Sequence, residues 1–508
     1  MNLLSSTSLF GFYTLVSRVL GYLRDILIAI FLGTSIYADA FFVAFRLPNT
    51  FRRLFAEGTF NAAFIPSYTQ QKIRGKKQGK EFADEVFSLI SIFLIFLIVI
   101  IEIFTPFIVY IIAPGFYDNL EKFNLAVEFT RITFPFLLFV SLSSLLSGIL
   151  NTNNKFAVAA AAPIILNIVL IASLFISFFY ELNIAKNLSI GVTLAGVFQF
   201  IILIFFTRKF YLPSIKFVKK FNNNIKLFFR KLLPSIFSSG ITQINILIGT
   251  IIASFQSGAV SYLYYADRIY QINLAIAGIA IGTVALPNLA RSIKLKKQNL
   301  VDKLQIKSIE LCLLLSIPAA LGLLIASEQI VNSLFGYGSF NEEDIYYTSL
   351  ALIYFSIGVP AFALIKVLSN FYFARNNTKL PFYISFITML INIIISLSLF
   401  KKYGFIIIPI ATSLSTWLAV VIYLVYLKKN KILFLNNVFN SNFLKILFST
   451  FLMSVFLYYG LNNFEDKFEY ANKFKLIYLL IVIGLSSALY LMFTKIFGIL
   501  NLKSYKIK

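Results

Sequence analysis

The chain alternates long apolar runs with short polar loops along nearly its whole length. Windows of about twenty apolar residues, the length that crosses a bilayer as a helix, recur about fourteen times. They predict helices at residues 5–32, 37–66, 83–112, 124–149, 157–179, 188–207, 230–254, 260–290, 305–326, 344–373, 382–400, 405–427, 442–461 and 474–498. The pattern therefore predicts an all-α polytopic membrane protein with almost no residues left for a soluble domain.

Lysine and arginine are concentrated in alternate loops. These loops lie at 72–80, 208–220, 291–303, 375–379 and 428–431, and the tail at 503–508 continues the series. The positive-inside rule assigns the basic side to the cytoplasm. We therefore expect a multi-pass protein of the cytoplasmic membrane with both termini in the cytoplasm.

Composition excludes several classes of function. The 508 residues are 59% hydrophobic and 13% charged, and the basic loops account for most of the net charge of +24, so no nucleic-acid partner is indicated. Histidine is absent and Cys312 is the single cysteine, which excludes an internal disulfide, a cysteine-rich metal site and histidine-based catalysis. The N-terminus has no basic region and no small-residue cleavage site, so we expect the first helix to be retained.

The first 66 residues carry many charges for membrane helices. A charge near the middle of a bilayer costs at least about 2.5–3.5 kcal/mol, so such side chains face water or protein. Two runs, 17–25 and 39–53, hold five arginines and two aspartates: Arg18, Arg24, Arg46, Arg52, Arg53, Asp25 and Asp39. Because two carboxylates cannot neutralise five guanidinium groups, the excess positive charge predicts an anionic ligand.

Helix geometry places the arginines at two depths. At 1.5 Å per residue, Arg24, Arg46 and Arg268 lie roughly 11–14 Å below the outer surface. Arg18 and Arg52 lie roughly 21–22 Å below it. A ladder of this kind can pass an anion across the bilayer.

The helical period also predicts which way the charges face. Arg18 and Asp25 share one face of the first helix, so they are expected to pair, whereas Arg24 lies about 120° away from Arg18. In the second helix Pro48 removes a backbone hydrogen bond, so we expect a kink beside Asn49.

Other charges have a structural interpretation that competes with a functional one. Arg53 and Glu57 are four residues apart and can pair on one helix face. Arg46 can pair with Asp39 instead of binding a ligand. Lys366, near the inner end of the tenth predicted helix, can snorkel to the interface.

Arginine in place of lysine indicates a phosphate ligand, because its planar fork binds phosphate oxygens bidentately and stays charged. The carboxylates are too few to neutralise Arg18, Arg24, Arg52 and Arg268, which are therefore the candidate substrate-binding residues. No phosphate-binding loop, aspartate-rich magnesium motif or pair of catalytic carboxylates accompanies them. Movement of a diphosphate is favoured over its hydrolysis.

A short internal repeat suggests how the helices group. The second helix ends with Gly58-Thr59 followed by Pro66, and the eighth ends with Gly282-Thr283 followed by Pro287. Two copies of six helices would be parallel repeats with the site between them. We expect an N-lobe at 1–222, a C-lobe at 223–435 and two additional helices at 436–508.

These residues also belong to longer motifs. The motifs are Ser17–Asp25, Asp39–Asn49, Arg52–Gly58, Ala63–Pro66, Gly148–Thr152, Tyr265–Arg268, Gly282-Thr283 with Leu286-Pro287, Phe335–Gly338 and Lys366–Leu368 with Phe371–Arg375. In these motifs the sequence resembles the bacterial lipid II flippase family (MurJ, also called MviN). That family is part of the multidrug/oligosaccharidyl-lipid/polysaccharide exporter superfamily.

The resemblance implies a fold and a function. The fold would have two six-helix lobes around a central cationic cavity, and two C-terminal helices forming a groove for a lipid tail. The substrate would be lipid II, the undecaprenyl-diphosphate-linked muropeptide used in peptidoglycan and cell wall biogenesis. It would be flipped from the inner to the outer leaflet of the bacterial inner membrane by alternating access, and cell shape would depend on it.

The resemblance also implies roles for individual residues. Essential arginines of the family match Arg18, Arg24, Arg52 and Arg268, and the supporting charges match Asp25, Asp39 and Glu57. Some family members resemble sodium-coupled carriers with an acidic site on helices 7, 11 and 12, but those helices contain no Asp or Glu here. This difference argues against sodium coupling and leaves the membrane potential or another ion as the drive. We expect no cofactor and no metal site.

Other functions remain open at the level of sequence. A flippase for another polyprenyl-diphosphate-linked glycan, of the O-antigen type, would use the same charges. A multidrug exporter would need unpaired carboxylates for cationic drugs, and a membrane glycosyl- or phosphotransferase would need catalytic carboxylates or metal ligands. A scaffold role would leave the membrane arginines unexplained, so we predict a transporter and not an enzyme.

Overall fold

A computed structural model of the protein describes residues 3–55, 59–216, 222–433 and 441–499. The regular structure in these segments is helical throughout. The chain divides into two compact units, Met1–Ser261 and Tyr262–Lys508. The predicted lobe boundary after residue 222 stays a prediction.

The first unit is built from long helices that follow one another closely in the chain. They are α1 (Leu3–Leu32), α2 (Ile36–Phe55), α3 (Thr59–Arg74), α4 (Lys76–Ile112), α5 (Leu120–Thr133), α6 (Phe136–Thr152), α7 (Phe156–Phe179), α8 (Ile184–Thr207) and α9 (Asn223–Ala253). The boundary between the units falls inside the next helix, α10 (Ala259–Leu274).

The second unit continues from α10 through a one-turn π-helix, Ala275–Ala280, into α11. Its further helices are α11 (Ile281–Lys294), α12 (Gln298–Ile325), α13 (Ser327–Phe335), α14 (Glu342–Phe373), α15 (Lys379–Tyr403), α16 (Ile407–Lys429), α17 (Ser441–Asn463) and α18 (Lys475–Ile496). The short helix α13 was not predicted from the apolar pattern, because its nine residues are too few to span a bilayer.

The predicted helical segments coincide with helices wherever the chain is described, apart from a few residues at their ends, and one of them is broken within the described residues. The segment 37–66 corresponds to α2 and α3, with residues 56–58 outside the description, and the segment 124–149 is divided into α5 and α6. This break lies at Phe134 and Pro135, where the proline cannot donate to the carbonyl four residues earlier. At Pro48 the helix does not end, since α2 continues to Phe55.

Nine helical segments among the described residues are long and apolar enough to cross a membrane. They are Lys76–Ile112, Leu120–Thr152, Phe156–Phe179, Ile184–Thr207, Gln298–Ile325, Glu342–Phe373, Lys379–Lys429, Ser441–Asn463 and Lys475–Ile496. The protein is thus an all-helical multi-pass membrane protein. Helix α2, with four charged residues among its twenty, is not one of the nine.

Aromatic side chains fill the interior of the first unit. Phe64 of α3 packs against Phe82 of α4 and Phe228 of α9, with ring centroids 6.1 and 6.4 Å away. All three rings are buried. Because lipid is as apolar as these side chains, close packing rather than water exclusion holds the helices together.

Two membrane helices contain prolines whose freed carbonyls find new donors. In α4 the Thr105 hydroxyl donates to Glu102 O at 3.0 Å, the carbonyl that Pro106 leaves without its helical partner. In α12, Pro318 frees the carbonyl of Leu314, which accepts a 2.6 Å hydrogen bond from the Tyr490 hydroxyl of α18. This bond fixes α18 against α12.

Candidate substrate-binding site

Arg24 of α1 is buried and held by two side chains. Its Nε and Nη2 donate to Asp25 Oδ1 at 3.0 and 2.7 Å, and its Nη1 donates to Asn167 Oδ1 of α7 at 2.9 Å. The expectation that Arg24 has no acidic partner is therefore wrong, because its long side chain reaches its own sequence neighbour. The guanidinium has five N–H groups, and these contacts use three.

Asn167 is a member of this cluster that the sequence analysis missed. Its side-chain amide is 5% exposed and donates to Ser17 O of α1 at 2.9 Å. Asn167 packs over Gly21, where an added Cβ would lie 3.5 Å from the amide nitrogen. The signal in the sequence was present, since Asn167 is the one amide among the 24 mostly apolar residues of α7.

Arg18 and Arg52 differ from Arg24 in their exposure. The Arg18 side chain is exposed on α1, and Arg52 near the end of α2 is half-buried. Arg52 donates from Nε to Asn49 Oδ1 at 3.0 Å, so a neutral amide on the same helix helps to orient it. Glu57, the predicted partner of Arg53, lies outside the described residues.

Asp39 of α2 is completely buried and serves a structural purpose. Its carboxylate accepts hydrogen bonds from Lys122 of α5, from the backbone N–H of Gly258 and Ser261 at 3.0 Å, and from the Ser261 hydroxyl at 2.6 Å. The last three donors lie at the start of α10, where unsatisfied N–H groups favour an anion. The cation on Asp39 is therefore Lys122, and the alternative that Asp39 pairs with Arg46 is not what the structure contains.

Arg268 of α10 belongs to the second unit and is half-buried. Its Nη2 donates to the Tyr264 hydroxyl at 2.9 Å, and its guanidinium lies 4.6 Å from the centre of the same ring. Tyr265 instead packs against Phe335 and Phe340. The two adjacent tyrosines therefore have different roles: Tyr264 orients Arg268, and Tyr265 packs in the interior of the second unit.

Gly278 of the π-helix and Gly282 of α11 let these two elements approach α14 closely. A Cβ on Gly278 would lie 3.1 Å from the backbone of Ala363, and one on Gly282 would lie 2.8 Å from the Asn370 amide. That amide donates to Gly282 O at 2.8 Å. The side chain of Lys366, one turn before Asn370 on α14, is exposed.

An apolar groove of about 450 Å³ runs within the second unit, between α12, α14, α16 and α17. Its lining includes Ile309, Leu313, Trp417, Val420, Phe443 and Leu447. A groove lined almost entirely by apolar side chains suits a hydrocarbon chain.

Comparison with known proteins is consistent with this architecture. The family described as lipid II flippase MurJ matches residues 28–479. A protein of Rhizobium tropici named "Probable lipid II flippase MurJ" is 38% identical over 423 residues, 82% of this chain and 79% of its own length. One of the same name from Buchnera aphidicola subsp. Schizaphis graminum is 32% identical over 508 residues, 98% of each chain.

Solved structures give the same result. The structure of "Lipid II flippase MurJ, inward closed conformation" has a TM-score of 0.81 and 29% identity, covering 96% of this chain and 98% of its own. An inward-facing multidrug resistance MATE family transporter of the MOP superfamily has a TM-score of 0.64 at 14% identity, over 80% of this chain and 98% of its own. The second likeness concerns the fold alone.

Proposed function

The chain belongs to the lipid II flippase MurJ family, and we propose that Arg18, Arg24, Arg52 and Arg268 bind the diphosphate of lipid II during transport. Its function is to flip lipid II for peptidoglycan biosynthesis, which is transport and not enzymatic catalysis. The family assignment decides between the two polyprenyl-diphosphate substrates that the sequence left open.

The observation that carries the proposed site is the charge balance of α1 and α2. These helices hold five arginines and two aspartates, and Asp39 is already bound to Lys122. In the described parts of α1 and α2, Asp25 is then the carboxylate that is left to pair with the arginines of these helices. The net positive charge of a site that faces protein or water inside a membrane favours a multiply charged anion such as a diphosphate.

Arg24 has donors to offer in spite of its partners. Asp25 and Asn167 take three of its five N–H groups, which leaves one on each terminal nitrogen for phosphate oxygens. A guanidinium held on two sides loses little freedom on binding, and this pre-organisation favours affinity.

The lipid tail requires a separate apolar surface. The groove between α12, α14, α16 and α17 fits this requirement, since it would keep an isoprenoid chain against lipid while the charged head moves. The Tyr490 to Leu314 hydrogen bond, which fixes α18 to α12, supports the idea that the two C-terminal helices brace this groove.

The proposed topology has fourteen membrane helices in two six-helix lobes around a central cationic cavity, at 1–222 and 223–435, plus two helices at 436–508. The basic loops support placing both termini in the cytoplasm and the protein in the bacterial inner membrane. The arginines of both lobes would meet the diphosphate as the lobes alternate in access. The membrane potential, acting on this charge, would supply the drive.

Complementation tests the site. Cells depleted of their own lipid II flippase would express the wild-type chain, Arg24→Ala, Arg268→Ala or the control Arg208→Ala, whose side chain is exposed beyond α8. We expect growth and wall synthesis with the wild type and the control, and loss of both with the other two variants at equal protein levels. Normal growth with Arg24→Ala and Arg268→Ala would overturn the assignment of these arginines.

A further inference from the structure

Asn167 connects two membrane helices at the position of a candidate substrate-binding arginine. It lies on α7, 143 residues from Arg24 in the chain, and bridges the Arg24 guanidinium and the Ser17 carbonyl with two hydrogen bonds of 2.9 Å. Ser17 O also belongs to the backbone of α1 one turn before Gly21. The amide is therefore anchored to the helix on which Arg24 stands.

The direction of both hydrogen bonds identifies which terminal atom of the Asn167 amide is oxygen and which is nitrogen. The Asn167 oxygen must face Arg24, which can only donate, and the Asn167 nitrogen must face a carbonyl, which can only accept. Each group of the amide thus has a partner that no apolar side chain can replace. In a membrane-embedded helix an unpaired amide is costly, so the arrangement is well determined.

Asn167 and Asp25 hold Arg24 from different sides. Asp25 takes the edge formed by Nε and Nη2, and Asn167 takes one N–H of Nη1. Without Asn167 the guanidinium would keep its acidic partner but could rotate about that contact. Its two remaining N–H groups would then no longer point in a fixed direction.

We propose that Asn167 is a positioning residue for the lipid diphosphate, acting through Arg24. This inference rests on the proposed function of Arg24 as a diphosphate ligand. Asn167 fixes the direction of the two N–H groups of Arg24 that remain for phosphate oxygens. It contributes to affinity for the diphosphate and does not itself contact the substrate.

Asn167→Leu is the variant that separates positioning from packing. Leucine has the same branched arrangement of four side-chain heavy atoms as asparagine, is somewhat larger and suits a membrane helix, so the space beside Gly21 stays filled. The matched control is Asn187→Leu, which removes another amide contact between helices of the same unit, the 3.1 Å bond from Asn187 to Ser177. Melting temperatures of both variants in detergent would establish that both are folded.

The measured quantity is the dissociation constant of purified full-length protein for undecaprenyl diphosphate in detergent. We expect Asn167→Leu to weaken binding about tenfold, the size of one charge-assisted hydrogen bond, and Asn187→Leu to change it less than about twofold. Equal binding by Asn167→Leu and the wild type would overturn the inference.

A double variant shows whether Asn167 acts through Arg24. Arg24→Lys keeps the charge but loses the fork, so adding Asn167→Leu to it should weaken binding by less than about twofold more. A further tenfold loss would mean that Asn167 acts independently of Arg24, which contradicts the inference. If Arg24→Lys and Arg24→Ala both bind like the wild type while Asn167→Leu does not, the proposed role of Arg24 fails instead.

Discussion

Lys122 of α5 donates a hydrogen bond to Asp39 of α2, and both side chains are almost completely removed from solvent. The Lys122 ammonium also lies 4.1 Å from the centre of the Phe116 ring. The Asp39 carboxylate also accepts hydrogen bonds from the backbone N–H groups of Gly258 and Ser261, at the start of α10. A buried ion pair of this kind adds little net stability, but the removal of one partner destabilises the fold strongly because the other charge stays buried and unpaired.

Lys122→Met is therefore expected to destabilise the protein by about 3–5 kcal/mol, because it leaves a buried carboxylate without its cation. The measurement is the thermal unfolding of the detergent-solubilised protein. Lys186→Met is the control, since the Lys186–Glu128 pair is about half exposed and such pairs contribute less than about 1 kcal/mol. Similar melting temperatures for the two variants would contradict the structural role of Asp39.

Gly115→Ala tests the close approach of the α4–α5 connection to the end of α9. An added Cβ would lie 2.5 Å from both Phe255 Cα and Ser254 O, which are backbone atoms that cannot move aside easily. We expect a loss of about 1–3 kcal/mol of stability, as for overpacking in a core. The control Gly484→Ala meets no atom within 4 Å in α18 and should be neutral or stabilising by up to about 1 kcal/mol.

The sequence was sufficient to locate most of the helices of the described chain. Apolar windows identify helical segments because a bilayer demands about twenty apolar residues whatever the tertiary contacts. The break at Phe134 and Pro135 was not predicted, since a proline inside an apolar window does not by itself distinguish a kinked helix from two helices. Helix α13 was missed because short helices leave no bilayer-length signal.

The partners of the charged residues were beyond sequence reasoning. Asp39 and Lys122 are 83 residues apart, and Arg24 and Asn167 are 143 residues apart. Helical periodicity describes which residues share a face of one helix, and it contains nothing about which helix packs against that face. The same limit explains why Arg24 was expected to lack an acid: the periodicity assigned Asp25 to a different face.

The segment that follows α8 and contacts α4, residues 211–216, predicts that stability depends on alkaline pH. The Tyr211 hydroxyl donates to buried Asp84 at 2.9 Å, and burial, followed by the charge of Asp84, raises the pKa of Tyr211. A phenol whose folded pKa lies above its unfolded value of about 10 stabilises the fold below that pH and loses this contribution as pH rises above it. We expect wild-type stability to fall by about 1.4 kcal/mol more than that of Tyr211→Phe between pH 8 and 11, with about 1 kcal/mol of this loss between pH 10 and 11.

Melting temperatures of wild type and Tyr211→Phe from pH 8 to 11 would measure this difference. The remaining tyrosines and lysines titrate in both proteins, so their contribution cancels. A constant difference across the range would mean that Tyr211 ionises as readily in the folded protein as in the unfolded one, which contradicts the burial of its hydrogen bond to Asp84.

Arg268→Lys separates the charge of Arg268 from its shape. Lysine keeps the positive charge but cannot donate bidentately or stack on Tyr264 with a planar group. If Arg268 binds the diphosphate through both terminal nitrogens, we expect the affinity of Arg268→Lys for undecaprenyl diphosphate to be about tenfold lower than that of the wild type. Tyr264→Phe should lower this affinity about threefold, because the ring stays and only the 2.9 Å hydrogen bond to its hydroxyl is lost. Full affinity in Arg268→Lys would mean that the site needs charge at this position and no particular geometry.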